Sequence, residues 1–433
     1  MKEVKIDALA RGFKDRTLVT ARMASKLGVR YVKRSLGAGG PAAATPKQLE
    51  VARKLVRDMS SMKGLIMKFG QMASYMPGAL PPDAQRILAE LQAESTALKF
   101  ERVKELVETE FGCALDEAFD DFEREPFAAA SIGQVHRASH AGQAVAVKVQ
   151  YPEIEEALKS DLKTVGFATT LSTLGMPIDG RALLSELAER LMEECDYQNE
   201  AENQRFFSRL LAGYTNVHVP EVVAERTTTR VLTTHLVDGQ RFYPFCDSAP
   251  QELKDRAAEA IFRVSFDCIF RHATYNADPH PGNYLFGSDG QVTFLDYGCV
   301  RRFDPHMIAA WKRVALSVLD DRRADFERYF PDLGMVPKPK RFDWDHQWAV
   351  MRYLYTPFMQ RAPHFTYTHE YVQQSYALLL FDNPNKLKTA MPPEWLFLNR
   401  LQWGLNSVLA YLDATGPWPD IWRAAVESPT PGA

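Results

Sequence analysis

The chain has 433 residues, 46% hydrophobic and 25% charged, with a net charge of −3 at pH 7. That balance excludes a disordered chain or a very small module, and it gives no electrostatic reason to expect nucleic acid as a partner. Five scattered cysteines (Cys113, Cys195, Cys246, Cys268, Cys299) include no C-x-x-C pair, which suits a reducing compartment and argues against a disulfide framework or a zinc site.

Residues 1–36 carry ten Lys/Arg against three Asp/Glu, a segment of +7 in a chain of −3. Ile6, Leu9, Phe13, Met23, Leu27 and Tyr31 fall on one helical face, interrupted by Thr17 and Thr20. The pattern predicts a basic amphipathic helix that lies on an anionic membrane surface or docks on the acidic remainder of the chain. Gly37 to Pro41 open a linker. Helices are expected from Gln48 to Met76 and from Pro81 to about Phe111. Beyond Ala114 the texture changes to two β-type runs, the second of which, Ala144–Val149, alternates and is rich in Val. Helices over 152–172 and 181–212, strands over 217–223 and 230–237, and a helix over 250–272 follow. A hairpin then pairs 284–286 with 292–295, and the rest reads as mostly helical. All seven Trp lie beyond residue 310, where large aromatics are expected to fill a core rather than line a pocket. No apolar run follows the first charges as in a secretory signal, and no stretch approaches the roughly 20 apolar residues that span a bilayer. The expected location is cytoplasmic, peripheral to a membrane if residues 1–36 bind one.

The strongest chemical signal is Asn276-Ala277-Asp278-Pro279-His280-Pro281-Gly282-Asn283, followed after the hairpin by Asp296-Tyr297-Gly298. Phosphoryl transfer needs a carboxylate near the accepting hydroxyl and oxygen ligands for magnesium. Asp278 and Asn283 repeat the Asp-to-Asn step of H-R-D-x-x-x-x-N, and Asp296 takes the place of the D-F-G aspartate. Asp278 is therefore the expected catalytic carboxylate, with Asn283 and Asp296 as magnesium ligands. Each pattern alone is commonplace; their order and spacing together are not.

Upstream, Ala128-Ala129-Ala130-Ser131-Ile132-Gly133-Gln134-Val135 fits G-x-G-x-x-G-x-V with alanines where two glycines belong. Because Ala adopts positive φ only at a cost, the loop is expected to be stiffer than its glycine counterpart. Val145-Ala146-Val147-Lys148 matches the strand whose lysine meets the α/β-phosphates. Such a lysine needs a helical carboxylate, and Glu194, within Glu193 to Glu200, is the expected partner. Lys68-Phe69-Gly70-Gln71, read by residue chemistry alone, is a helix-end signal.

Taken in order, Lys68 to Gln71 (K-x-G-Q), the alanine-rich loop, Glu194-Cys195-Asp196 (E-x-D), Asp278 to Asn283 and Asp296 resemble the UbiB family of atypical kinases linked to isoprenoid-quinone biosynthesis, over roughly residues 48–410. The resemblance implies an α+β, two-lobed protein-kinase-like fold with an N-terminal helical extension and a mostly helical C-lobe. Its expected divisions are a basic helix and linker over 1–47, the extension over 48–113, an N-lobe over 114–237 and a C-lobe over 238–433. It also implies ATP or ADP with Mg2+, a part for Lys68 and Gln71 at the nucleotide site, Lys68 approaching Asp196, and contact with an isoprenoid or quinone-precursor lipid. Asn276 stands where many relatives have His, and Tyr297 where Phe is usual. An ATP-dependent kinase or ATPase is the reading these residues favour. A nucleotide-gated lipid-binding protein without phosphotransfer is the alternative, and an antibiotic-phosphotransferase type would leave Lys68 to Gln71 unexplained.

Overall fold

The computed structural model describes residues 98–130, 132–156, 158–159, 192–276, 280–386, 388–390 and 392–430. The expectations for the basic segment, for the helices before residue 98, and for Lys68, Gln71, Ser131 and Asp278 lie outside them. The described chain forms two compact units. One comprises 98–159, 192–206 and 220–237, the other 207–219 and 238–430.

In the first unit, helix α1 (Phe100–Phe111) buries Val103, Leu106 and Val107 and ends at Gly112, whose φ of 67° lets its N–H reach Glu108 O. The helix expected to run on from Pro81 is interrupted before α1, since Lys99 is extended at φ −61°, ψ 139°. An antiparallel five-stranded sheet follows, ordered β1 (Asp121–Phe122), β3 (Gly133–His140), β4 (Gln143–Gln150), β6 (Val231–His235), with β2 (Ala128–Ala129) on β3. Alternation in β4 has the meaning its sequence suggests. Val145, Val147 and Val149 are at most 1% exposed and join α1 in the core, so Lys148 belongs to the other face. The second strand expected at 230–237 forms over Val231–His235. The one expected at 217–223 does not form as a single strand: only Val217–His218 (β5) is regular, and Val222 makes an isolated bridge to Thr234. Helix α2 (Tyr197–Leu210) lies downstream of β4, and its last residues, from Phe207, count with the second unit.

The second unit is built around α3 (Gln251–His272), which buries Ala257, Ile261, Phe262, Phe266, Ile269 and Phe270. Aromatic side chains pack on it: Trp418 against Phe262 at 4.8 Å, Trp311 against Phe270 at 4.8 Å, and Trp422 against Phe270 at 5.5 Å. Five tryptophans are buried (Trp311, Trp348, Trp395, Trp418, Trp422), the core role expected of them. Ala273, left-handed at φ 46°, ends α3 and turns the chain into β8 (Thr274–Asn276). β9 (Tyr284–Phe286) and β10 (Val292–Phe294) form the expected hairpin, extended by β7 (Gln240–Arg241) and, in parallel, by β5; β8 pairs with β11 (Val300–Arg302). Among the described residues no helix is long and apolar enough to cross a membrane.

Glu110, near the end of α1, ties the helix to the approach of β6. It accepts from Thr228 Oγ1 at 2.6 Å and from Arg230 Nε at 2.9 Å. Burial alone would raise its pKa, but the hydrogen bonds from Thr228 and Arg230 and the guanidinium charge hold it below the usual carboxylate range. A depressed folded-state pKa means the stabilisation is present above the unfolded carboxylate pKa and lost as pH falls through the folded value. Glu110→Gln should therefore cost about 1–3 kcal/mol in urea denaturation at pH 7. The difference from wild type should shrink on acidification; a constant difference down to pH 3 would contradict this account.

Candidate active site

In the first unit the antiparallel register sets Val135, Lys148 and Leu232 abreast on β3, β4 and β6. Residues directly opposite one another share a face, so this row stands on the side away from the Val145–Val149 core. Helix α2 meets that side. Lys148 Nζ donates to both carboxylate oxygens of Glu200, at 2.8 and 2.9 Å. The lysine side chain is 14% exposed and the glutamate 2%, so the pair is close to dry. A buried cation persists only with its charge met, and here one carboxylate meets it through both its oxygens.

The expected partner, Glu194, is thereby corrected to Glu200. Residues 193–196 do not continue one helix. Cys195 and Asp196 turn back onto Met192 O and Glu193 O, and α2 starts afresh at Tyr197. Asp196 caps it, Oδ1 accepting from Gln198 N at 3.0 Å and Asn199 N at 3.3 Å. Glu200 sits in the first turn of the new helix, while Glu194 is buried in the turn ahead of it. The signal for Glu200 was present in the chain: Tyr197, Glu200, Ala201 and Gln204 are all buried at i, i+3, i+4, i+7 spacing. An acid inside such a stripe has to be paired.

The alanine-rich segment is a tight hairpin. Ala128 and Ala129 pair with Val135 and Gln134, and Ala130 N donates to Gly133 O at 2.9 Å. None of Ala128, Ala129 or Ala130 has positive φ, so this backbone path does not call for glycine there. Gly133 is needed for space instead. A Cβ on it would lie 2.4 Å from Val149 O and 2.7 Å from the Tyr197 hydroxyl. Gln134, expected to contact the cofactor, is corrected as to its side chain. It pairs with Val149 and so shares the opposite face from Lys148. There its Oε1 accepts from Leu98 N at 2.8 Å and its Nε2 lies 2.9 Å from His136 Nε2. With His136 Nδ1 2.8 Å from Glu123 O, the consistent assignment is Gln134 donating to Nε2 and His136 donating from Nδ1.

In the second unit, β9 and β10 pair Tyr284 with Phe294, and one rung further Leu295 N donates to Asn283 O at 3.0 Å. The hairpin thus carries Asn283 and Asp296 at its open end. Asp296 Oδ1 accepts from Gly298 N at 2.9 Å, and Asp296 O accepts from Asn276 Nδ2. The strand leading into the Asp278 segment is in this way tied to the Asp296 turn. His280 caps the short turn Pro281–Asn283, Nδ1 accepting from Gly282 N at 2.9 Å. Tyr297 packs on Phe207 at 5.2 Å, and full burial drives its hydroxyl pKa well up; here it fills a core position as the usual Phe would. Asn283 and Asp296 offer amide and carboxylate oxygens, the hard donors that suit Mg2+. The cavity beside them, lined by residues including Asn276, Asn283 and Tyr297, has a volume of about 10 Å³, room for about one water.

Residues 90–329, more than half of the chain, match the family profile described as the ABC1 atypical kinase-like domain. The chain is 30% identical over 307 residues to atypical kinase COQ8B, mitochondrial, of Rattus norvegicus, covering 69% of this chain and 58% of the relative. It is 30% identical over 281 residues to atypical kinase COQ8, mitochondrial, of Saccharomyces cerevisiae, covering 63% and 56%. Atypical kinase coq-8, mitochondrial, of Caenorhabditis elegans is 30% identical over 295 residues, 66% of this chain and 39% of the relative. The chain therefore spans between about two fifths and three fifths of these relatives. Among solved structures it is similar to Mycobacterium tuberculosis Rv3197, determined with erythromycin, at a TM-score of 0.66 and 25% identity, covering 88% of this chain and 97% of that one.

The spacing at Gly133 is directly testable. Val149 O belongs to the central strand and cannot withdraw, so Gly133→Ala should lower stability by about 1–3 kcal/mol in thermal denaturation. A melting curve superimposable on wild type would show that the hairpin has slack.

Proposed function

The chain belongs to the ABC1 atypical kinase-like family, and on that premise we propose that it is a Mg2+-dependent, ATP-binding kinase or ATPase acting in or supporting isoprenoid-quinone or related lipid metabolism. The observation that carries this reading is the Lys148–Glu200 pair, at 2.8 and 2.9 Å. Kinases require a strand lysine held by a helical glutamate before phosphates can be aligned. Glu200 fixes Nζ and offsets its charge, which lets Lys148 meet the α/β-phosphates of ATP or ADP. The backbone of the alanine-rich hairpin, Ala128 to Val135, covers the phosphates. Asn283 and Asp296 hold Mg2+, which when bound neutralises charge on the transferring phosphoryl group. Asp278 takes the proton of the attacking hydroxyl or orients water. Lys68 and Gln71 belong to the nucleotide site through the resemblance set out above, with Lys68 directed at the Glu194–Asp196 acids. An isoprenoid or quinone precursor is the lipid partner, and residues 1–36 supply attraction to anionic membrane.

The test is nucleotide binding by calorimetry together with phosphate release from Mg-ATP, with and without anionic liposomes or a phenolic quinone precursor. Asp296→Asn should abolish the magnesium dependence of binding, and Lys148→Ala should raise the Kd for Mg-ADP at least about tenfold, the loss of a charged contact worth roughly 1.5–3 kcal/mol. Magnesium-dependent binding unchanged in Asp296→Asn would overturn the metal assignment. Tight Mg-ATP binding without phosphate release or transfer under any condition would favour the nucleotide-gated lipid-binding alternative.

A further inference from the structure

The Lys148–Glu200 pair leaves unexplained why α2 begins with a wholly buried tyrosine, Tyr197, at 0% exposure. We propose that Tyr197 is a positioning residue for Lys148, its ring face aligning the ammonium for the phosphates; this rests on the nucleotide-site reading above. Lys148 Nζ lies 4.9 Å from the centre of the Tyr197 ring, inside the range at which a cation is drawn to an aromatic face. Glu200 follows three residues later on the same helical face, so ring and carboxylate approach the ammonium from successive turns. The lysine stem is flexible and its head is a compact point charge. A carboxylate alone sets how far that head reaches, and a ring beside it sets the direction.

The tyrosine can do this because its own place is fixed from three sides. Its N–H donates to Thr229 O at 2.9 Å. The turn just ahead is held by Gln150 Nε2, which donates to Cys195 O at 2.8 Å. Its hydroxyl end lies under Gly133, where an added Cβ would come within 2.7 Å of it. Tyr197 thus stands against both the alanine-rich hairpin and the lysine, and the start of α2 cannot swing away without breaking sheet contacts. A tyrosine that merely filled the core would change nucleotide affinity by the same factor with or without Lys148.

The experiment is a double-mutant cycle on the full chain, read as the Kd for Mg-ADP. Tyr197→Leu should weaken binding about fivefold, and Tyr197→Phe, which restores the ring, should recover most of that loss. In a Lys148→Met background, Tyr197→Leu should add less than about twofold, because the group it acts through is gone. Equal losses in both backgrounds, or a Phe variant as weak as the Leu variant, would overturn the proposal. Lys148→Met without effect on affinity would overturn the nucleotide-site reading instead. As a check that does not alter the shape of the core, phenylalanine at 197 can be fluorinated stepwise to drain the ring face of negative charge. Affinity should fall with each fluorine, and a flat series would overturn the role of the ring.

Discussion

A nearly dry ion pair is a demanding feature, because removing either partner leaves a poorly solvated charge without its counter-charge, at a cost of about 3–5 kcal/mol. Lys148 and Glu200 are such a pair, and much of the first unit can be understood as what keeps them together. The pleat of β4 commits three valines to one face and delivers the lysine to the other. The turn at Glu194–Cys195 and the Asp196 cap then start a helix at the position that puts Glu200 one turn in. Shifting β4 by one residue would bury the lysine among valines.

The second unit meets a different demand with the same economy. Its three-residue hairpin ends both strands in oxygen-bearing side chains, Asn283 before β9 and Asp296 after β10. The Asn276 amide on the Asp296 carbonyl adds a crosslink from a separate strand pair.

Legibility in the sequence followed the range of the interaction. The hairpin at 284–294, the helix at 251–272 and the strand bearing Lys148 are local patterns, and their residues announced them through turn chemistry and period. Family membership was equally visible in the order of the motifs. The expectation of Glu194 fails because nothing in the sequence around it reveals that the chain turns there and begins a new helix at Tyr197. Counting period two from Lys148 through the Ala141-Gly142 turn would have assigned Gln134 to the opposite face; the loop pattern drew attention to its place in the motif instead. The alanines at 128–130 raised an expectation of stiffness on conformational grounds. Within this segment the structure places the need for glycine at Gly133, where the constraint is the Val149 carbonyl, a neighbour that only the folded chain supplies.

The placing of the tryptophans gives the molecule an uneven optical character. All seven lie beyond residue 310, within the second unit, and Trp418 and Trp422 are sealed among other rings. Indole emission excited near the red edge therefore reports the second unit, and the unit bearing Lys148 is seen only through tyrosine light or the amide bands. A loosening confined to the first sheet would pass unnoticed in an indole melting curve while showing in circular dichroism. Two transitions that differ between those signals would separate the unfolding of the lysine-bearing sheet from that of the aromatic helical unit, with no dye attached to either.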